Sequence, residues 1–307
     1  MGLESNISWC DHTINLWWGC QKVSPGCKFC YADVFSKRTG RGELWGPPAH
    51  SERMIVKSAF NTLAKIAKIA AATGETQRVF VQSMSDIFED MQGNHPHIDA
   101  VRDKAFGLMP FYTGIDFLLL TKRPENVKRF VPKEWLTNWP DNVLLGISAE
   151  NQPGLEKRLS HALSIPARRF LSCEPLLSGL DIGQAIANSL GIDIPSSSEI
   201  DLSGLLHWVI VGGESGMDKG VRPMNPAWVD GIYDWCKTTD TPFFFKQWGR
   251  YIGLGKNTSV DKTIRRTVVY GDVTYVDMGR DSHTDGYRGR EWHEFYRKSD
   301  TIHTIGE

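Results

Sequence analysis

Three cysteines near the start of the chain, Cys20, Cys27 and Cys30, lie in the segment CQKVSPGCKFC with a Cys-x6-Cys-x2-Cys spacing. Ser24-Pro25-Gly26 stands between the first two and is a turn former, so the loop folds back and three thiolates can converge on one centre. Soft thiolate donors suit an iron–sulfur cluster in which three irons are held by protein and the fourth is left open for a small chelating ligand. Structural zinc is the competing reading. It needs a fourth ligand to close its tetrahedron, and Cys10 and His12 are at hand. Free thiols are the third. Cys173 and Cys236, far from this loop, fit buried apolar positions better than ligand positions.

Positioning such a loop requires a scaffold, and the chain repeats one unit after it. Short runs rich in Val, Ile, Leu and Phe, at 78–86, 116–123, 142–151, 168–175, 207–216 and 241–249, are apolar on both faces and each ends in a polar cluster. Such runs predict strands of a parallel sheet buried on both sides, with the intervening segments as crossover helices. Ser85 to Met109, Arg123 to Trp135, Gln152 to Leu163 and Pro226 to Cys236 are the candidate helices. A further helix is expected over Arg53 to Ala72, from apolar residues at 56, 60, 63, 67 and 70, with Gly74 stopping it.

With one more strand near the cysteines, this succession predicts an α/β fold: a partial or complete (β/α) TIM-like barrel, preferred to a doubly wound sheet because no GxGxxG follows the first strand. Residues 1–249 make this barrel. Residues 250–307 form a small appendage with a hairpin turning at Gly271-Asp272, and the polar stretch 191–203 reads as an inserted loop.

In such barrels the chemistry sits where the strands end, and here those ends carry the polar residues. Ser83, Ser85 and Asp86 close the first run. Thr121, Lys122 and Arg123 close the second, then come Ser148 and Glu150, Ser172 and Glu174, Glu214 and Ser215, and Lys246 and Gln247. Carboxylates there suit an ammonium or ribose hydroxyls, and Lys122, Arg123 or Lys246 a carboxylate or phosphate. The bland reading of each is a strand cap or an internal ion pair.

Composition excludes several classes. The chain has 307 residues, 41% of them hydrophobic and 23% charged, and a formal net charge of −1, so it is a folded globular chain without the global cationic field that draws proteins onto nucleic acid or anionic lipid. No apolar run reaches the roughly 20 residues that span a bilayer, and the first ten residues lack a signal peptide's basic and apolar regions. A soluble cytoplasmic protein with no membrane partner is expected. Eleven tryptophans, with Trp17, Trp18 and Trp45 near Lys37, Arg38 and Arg41, raise base stacking as an alternative to ordinary core packing. His95 and His97, flanking a proline, are expected to be solvated.

The run DHTINLWWGC (11–20) through CKFCYA (27–32), followed in order by SMSDIFED (83–90), LLTKRPENV (119–127), LGISAENQ (145–152), FLSCEPLL (170–177), VGGESG (211–216) and FFFKQWG (243–249), resembles a phage-associated three-cysteine family of unknown function, itself similar to radical S-adenosylmethionine (SAM) enzymes. That resemblance implies a [4Fe–4S] cluster on Cys20, Cys27 and Cys30. It also implies SAM on the fourth iron, reductive cleavage to a 5′-deoxyadenosyl radical, and hydrogen abstraction from an organic substrate. It sets Phe29 near the adenine, and with SAM there the strand-end reading sets Asp86, Ser83, Ser85, Glu150 and Glu214 around the cofactor and Lys246 and Glu174 as catalytic groups. Gly212-Gly213-Glu214 resembles the motif that holds SAM's amino group. The implied partners are SAM, a small-molecule or nucleic-acid substrate, an electron donor and a partner protein. The alternative class is a non-catalytic nucleic-acid-binding protein stabilised by zinc or a cluster.

Overall fold

The computed structural model describes residues 3–41, 43–193, 201–216, 220–256, 267–270 and 273–277. Seven strands run through it in chain order: β1 (His12–Ile14), β2 (Gln77–Val81), β3 (Ile115–Thr121), β4 (Val143–Ser148), β5 (Arg168–Cys173), β6 (Trp208–Gly212) and β7 (Phe243–Gln247). They form one sheet in that same order. Parallel pairing aligns Thr13 with Phe80, Phe80 with Leu118, and Leu118 with Leu144, and further on Ile210 with Phe244. Sequential order is that of a (β/α) barrel, and seven strands are one short of the eight that close one, so the arrangement is partial. Every residue of β4, β5 and β6 is buried, including Arg168 and Arg169 at the start of β5.

Seven helices accompany them: α1 (Tyr31–Arg38), α2 (Ala59–Thr73), α3 (Pro96–Leu108), the single turn α4 (Val127–Phe130), α5 (Gln152–Leu163), α6 (Ile182–Leu190) and α7 (Pro226–Thr238). The helix expected from Arg53 begins only at Ala59, because Met54–Ile55 pairs antiparallel with Trp17–Trp18. Gly74 ends it in the left-handed conformation, as expected. The helix expected from Ser85 starts at Pro96 instead. The one expected from Arg123 is reduced to four residues between Pro124 and Pro132, since a residue before proline is pushed out of the helical region and Val131 is extended. Helix α6 was not anticipated. It is capped by Asp181, whose side chain accepts from the Gln184 N–H at 2.8 Å, and ends at a left-handed Gly191.

The chain divides into two compact units, residues up to 147 with 161–170, and residues 148–160 with those from 171 onward. In the first, α2, α3 and β1 to β4 enclose a core that includes Ile66, Phe88, Ile98, Phe106, Phe117 and Leu145. In the second, strands Thr267–Tyr270 and Val273–Asp277 form the hairpin expected in the appendage, and Tyr251–Lys256 joins them as a third antiparallel strand. The centre of the inserted loop, 194–200, and the charged aromatic end of the chain lie outside the described residues. Among the described residues, no helix is long and apolar enough to cross a membrane.

Candidate functional site

The cysteine loop leaves the sheet through Gly19, whose φ of +107° and tight surroundings only glycine accepts. A Cβ there would stand 2.5 Å from the Leu44 carbonyl oxygen. Cys20 follows and bridges to Trp45. Pro25–Cys27 forms a single 3-10 turn, and Cys30 caps the N-terminus of α1. The turn formers read from the sequence therefore do fold the loop back, with Cys27 and Cys30 on successive turns. None of the three is in a disulfide and all three residues are half-buried, whereas Cys10, Cys173 and Cys236 are buried.

The end of β3 faces this loop with two cations. Arg123 places Nη1 3.6 Å from Cys20 Sγ and donates from Nη2 to the Gln21 carbonyl at 2.6 Å. Lys122 exerts its charge on both Cys27 and Cys30. Burial pushes the Cys20 thiol well above its ordinary pKa, and Glu89 adds to that, with Arg123 opposing. Burial likewise raises Cys30, against the pull of the Asp33 and Ala32 backbone N–H groups. At Cys27 burial is outweighed by Lys122 and by hydrogen bonds, including one with the Ser24 hydroxyl at 3.5 Å, so this thiol lies below the usual range.

Behind the loop lies a buried charge network. Glu89 accepts from the Gln21 N–H at 2.7 Å and from Arg53 Nη2 and Nε at 2.8 and 3.0 Å. Asp86 accepts from Arg123 Nη1 at 2.9 Å, the Lys122 N–H at 3.0 Å, Thr121 Oγ1 at 2.7 Å and the Phe88 N–H at 3.0 Å. Both carboxylate oxygens of Asp86 are thus engaged by protein donors. Ser83 accepts from Asn15 Nδ2 at 3.0 Å and Ser85 donates to the Trp17 carbonyl at 3.2 Å, so both tie the end of β2 to the segment leading into the cysteine loop. Phe29 is half-buried with the Lys28 ammonium 5.1 Å from its ring centre. Arg53 and Glu89 were missed in the sequence. They pair across 36 positions, and the acidic run from Asp86 to Asp90 was the only local signal.

The remaining predicted residues belong to the second unit, where each carboxylate has its own cation. Glu150, wholly buried, pairs with Arg158 at 2.7 Å, and Glu214 pairs with Arg222. Both carboxylates are thus held by arginines of this chain. Gly213 is likewise explained by packing, since a Cβ there would fall 1.8 Å from the Trp248 carbonyl oxygen. Lys246 and Glu174 pair at 2.7 Å and keep partial exposure, with side chains 24% and 14% accessible.

Trp17 and Trp18 are buried core residues, so base stacking on them is excluded. His95 is buried, not solvated, its Nε2 within 2.9 Å of the Pro48 carbonyl and 3.1 Å of that of Ser51. Cys10 donates to Ser5 Oγ at 3.3 Å and His12 Nε2 lies 3.0 Å from Gln77 Oε1, so both candidates for a fourth zinc ligand are turned to other partners. Among the described residues, no three His, Cys, Asp or Glu side chains are grouped closely enough to hold one metal ion. A cubane cluster asks for a wider arrangement, because each thiolate binds its own iron. Three half-buried cysteines lined by Lys122 and Arg123 suit that anionic donor set.

Residues 4–296 match a family described as protein of unknown function, DUF5131. The chain belongs to that family. Its description names no activity and no phage. None of the curated proteins compared with the chain matches it. Among solved structures, a mutant spore photoproduct lyase with bound AdoMet and dinucleoside spore photoproduct is similar at 14% identity and a TM-score of 0.46, covering 90% of this chain and 70% of that one.

Proposed function

We propose that this protein is a radical SAM-like iron–sulfur enzyme, with Cys20, Cys27 and Cys30 holding three irons of a [4Fe–4S] cluster. The observation that carries the reading is the electrostatic setting of the loop: Arg123 against Cys20, and Lys122 acting on Cys27 and Cys30, put two cations from one strand end beside three thiols. Cations beside the sulfurs oppose the burial that raises Cys20 and Cys30, and at Cys27 they help to outweigh it, which moves the sulfurs toward the thiolate state that ligation requires. Cys20, Cys27 and Cys30 would hold such a cluster, and its chemistry, with SAM on the open iron, would be one-electron cleavage of SAM to a 5′-deoxyadenosyl radical.

The chain's own residues do the rest. Gly19 and the Glu89 and Arg123 contacts to Gln21 fix the direction in which the loop leaves the sheet. Phe29, between Cys27 and Cys30, offers an aromatic surface for the adenine. Asp86 works through Arg123 rather than on the cofactor. In the second unit, Lys246 and Glu174 form an ion pair in which both side chains keep accessible surface, and they are the groups assigned to an organic substrate, a nucleic-acid component among the candidates.

Anaerobic reconstitution with iron and sulfide tests the reading. About four irons per chain, with 5′-deoxyadenosine formed from SAM and dithionite, is the expected result. Stoichiometric zinc and no 5′-deoxyadenosine would instead support a zinc-stabilised binding protein.

A further inference from the structure

We infer that Arg123 is a positioning residue for the cluster, tying the Cys20 ligand to the end of β3 and holding a positive charge against its sulfur, so that the cluster's reduction potential lies above the value its acidic surroundings alone would set. This rests on the reading of the three cysteines as cluster ligands. The guanidinium bridges two consecutive loop residues: Nη1 stands 3.6 Å from Cys20 Sγ and Nη2 donates to the Gln21 carbonyl at 2.6 Å. It is buried, and it is aimed from behind by Asp86, 2.9 Å from Nη1.

Asp86 is in turn fixed by Thr121 Oγ1 and by the N–H groups of Lys122 and Phe88, so the orientation of Arg123 is inherited from the backbone at the ends of β2 and β3. Glu89 Oε1 lies 3.7 Å from Nη2 on the other side.

The sign of the effect follows from charge. Reduction adds one electron to the cluster, and cluster potentials respond to local net charge and to hydrogen bonds on the sulfurs. Around Cys20 two arginines, 53 and 123, balance two carboxylates, 86 and 89. Removing Arg123 leaves one carboxylate unbalanced and takes away an N–H···S contact, which disfavours the added electron. Removing the charge of Asp86 does the opposite. A residue that merely held the loop together would not shift the potential in opposite directions in these two variants.

The experiment is a dithionite titration of the anaerobically reconstituted full chain, followed by electron paramagnetic resonance, for wild type, Arg123→Met, Arg123→Lys and Asp86→Asn. The expected midpoint is lower in R123M and higher in D86N than in wild type. R123K, which keeps the charge without the two-pronged geometry, is expected near wild type in potential with lower iron occupancy. If R123M and D86N move the midpoint the same way, or leave it unchanged, the inference is overturned. Should R123M take up no cluster, D86N decides alone: a raised midpoint supports the inference and an unchanged or lowered one overturns it. A wild-type chain that binds no iron would refute the underlying reading, a result distinct from either.

Discussion

Replacing Glu89 by alanine removes the carboxylate that pins the cysteine loop from behind. The side chains of Glu89 and Arg53 are 2% and 0% accessible, and the substitution deletes three hydrogen bonds, from the Gln21 N–H and from two nitrogens of Arg53. Each hydrogen bond to a charged group contributes about 1.5 to 3 kcal/mol, and leaving one partner of a buried ion pair alone costs about 3 to 5 kcal/mol. These figures count the same contacts and do not add. Arg53 keeps the carbonyls of Leu44, Gly46 and Glu52 at 3.1, 2.9 and 3.0 Å, which favours the lower end. A loss of about 3 kcal/mol is a large part of the roughly 5 to 15 kcal/mol that holds a domain folded.

The assay is urea unfolding of the metal-free, reduced chain, with hydrogen exchange at the Gln21 amide as a local probe. Glu89→Ala is expected to lower the unfolding midpoint and to release the amide of residue 21. Glu89→Gln, which keeps the shape and one acceptor, falls between. A cost below about 1 kcal/mol, no greater than that of the exposed Lys68→Ala, would refute the claim that this buried pair anchors the loop.

Other expectations concern the same loop and its helix. Gly19→Ala forces a side chain into a left-handed backbone against the Leu44 carbonyl oxygen, so urea unfolding should show a loss of at least about 2 kcal/mol, accompanied by reduced iron uptake. In the metal-free chain near pH 8, Cys27 should be alkylated before Cys20 and Cys30, because its thiol lies below the ordinary range while burial raises theirs; mass spectrometry of iodoacetamide-treated peptides gives the order, and Cys20 reacting first would contradict it. Burial disfavours charge on Asp33, but Lys22 at 2.7 Å and Lys37 at 3.1 Å outweigh it and hold the carboxyl below its unfolded value of about 3.9. Its contribution to stability is complete above that value and is lost as pH falls through the lower folded one. Between pH 5 and about pH 3 the melting temperature of wild type should therefore drop further than that of Asp33→Asn; equal drops would show that these pairs contribute nothing.

Much of the scaffold was legible because its strands are apolar on both faces and its punctuation is local. The six runs from 78 to 249 contain β2 to β7 to within a few residues, and α5 matches the expected helix at both ends, from Gln152 to Leu163. Helix α3 was drawn too long because the whole interval after the strand was taken as crossover helix, whereas Ile87, Phe88 and Met91 pack into the core from a non-helical segment. His95-Pro96, with proline at the first helical position, was the available boundary signal. Asp181 and Gly191 likewise bracketed the unanticipated α6.

The cysteine loop was visible as a motif, but its support was not. Arg53, Arg123 and the Asp86–Glu89 segment come from separate parts of the chain and meet only in the fold, where β2 and β3 are adjacent, so no spacing rule joins them. Arg158 and Arg222 are different: each lies only eight residues beyond Glu150 and Glu214, so those ion pairs are local and were within reach of the sequence.

The central claim is that three thiols on one loop hold a cluster with an iron open to SAM. Liquid chromatography of the adenosine products after anaerobic incubation of the reconstituted chain with SAM and dithionite reads that claim directly. The account predicts 5′-deoxyadenosine from the wild-type chain and none from Cys20→Ala, Cys27→Ala or Cys30→Ala. A chain carrying about four irons that leaves SAM intact, or an alanine variant that still cleaves it, would contradict the account.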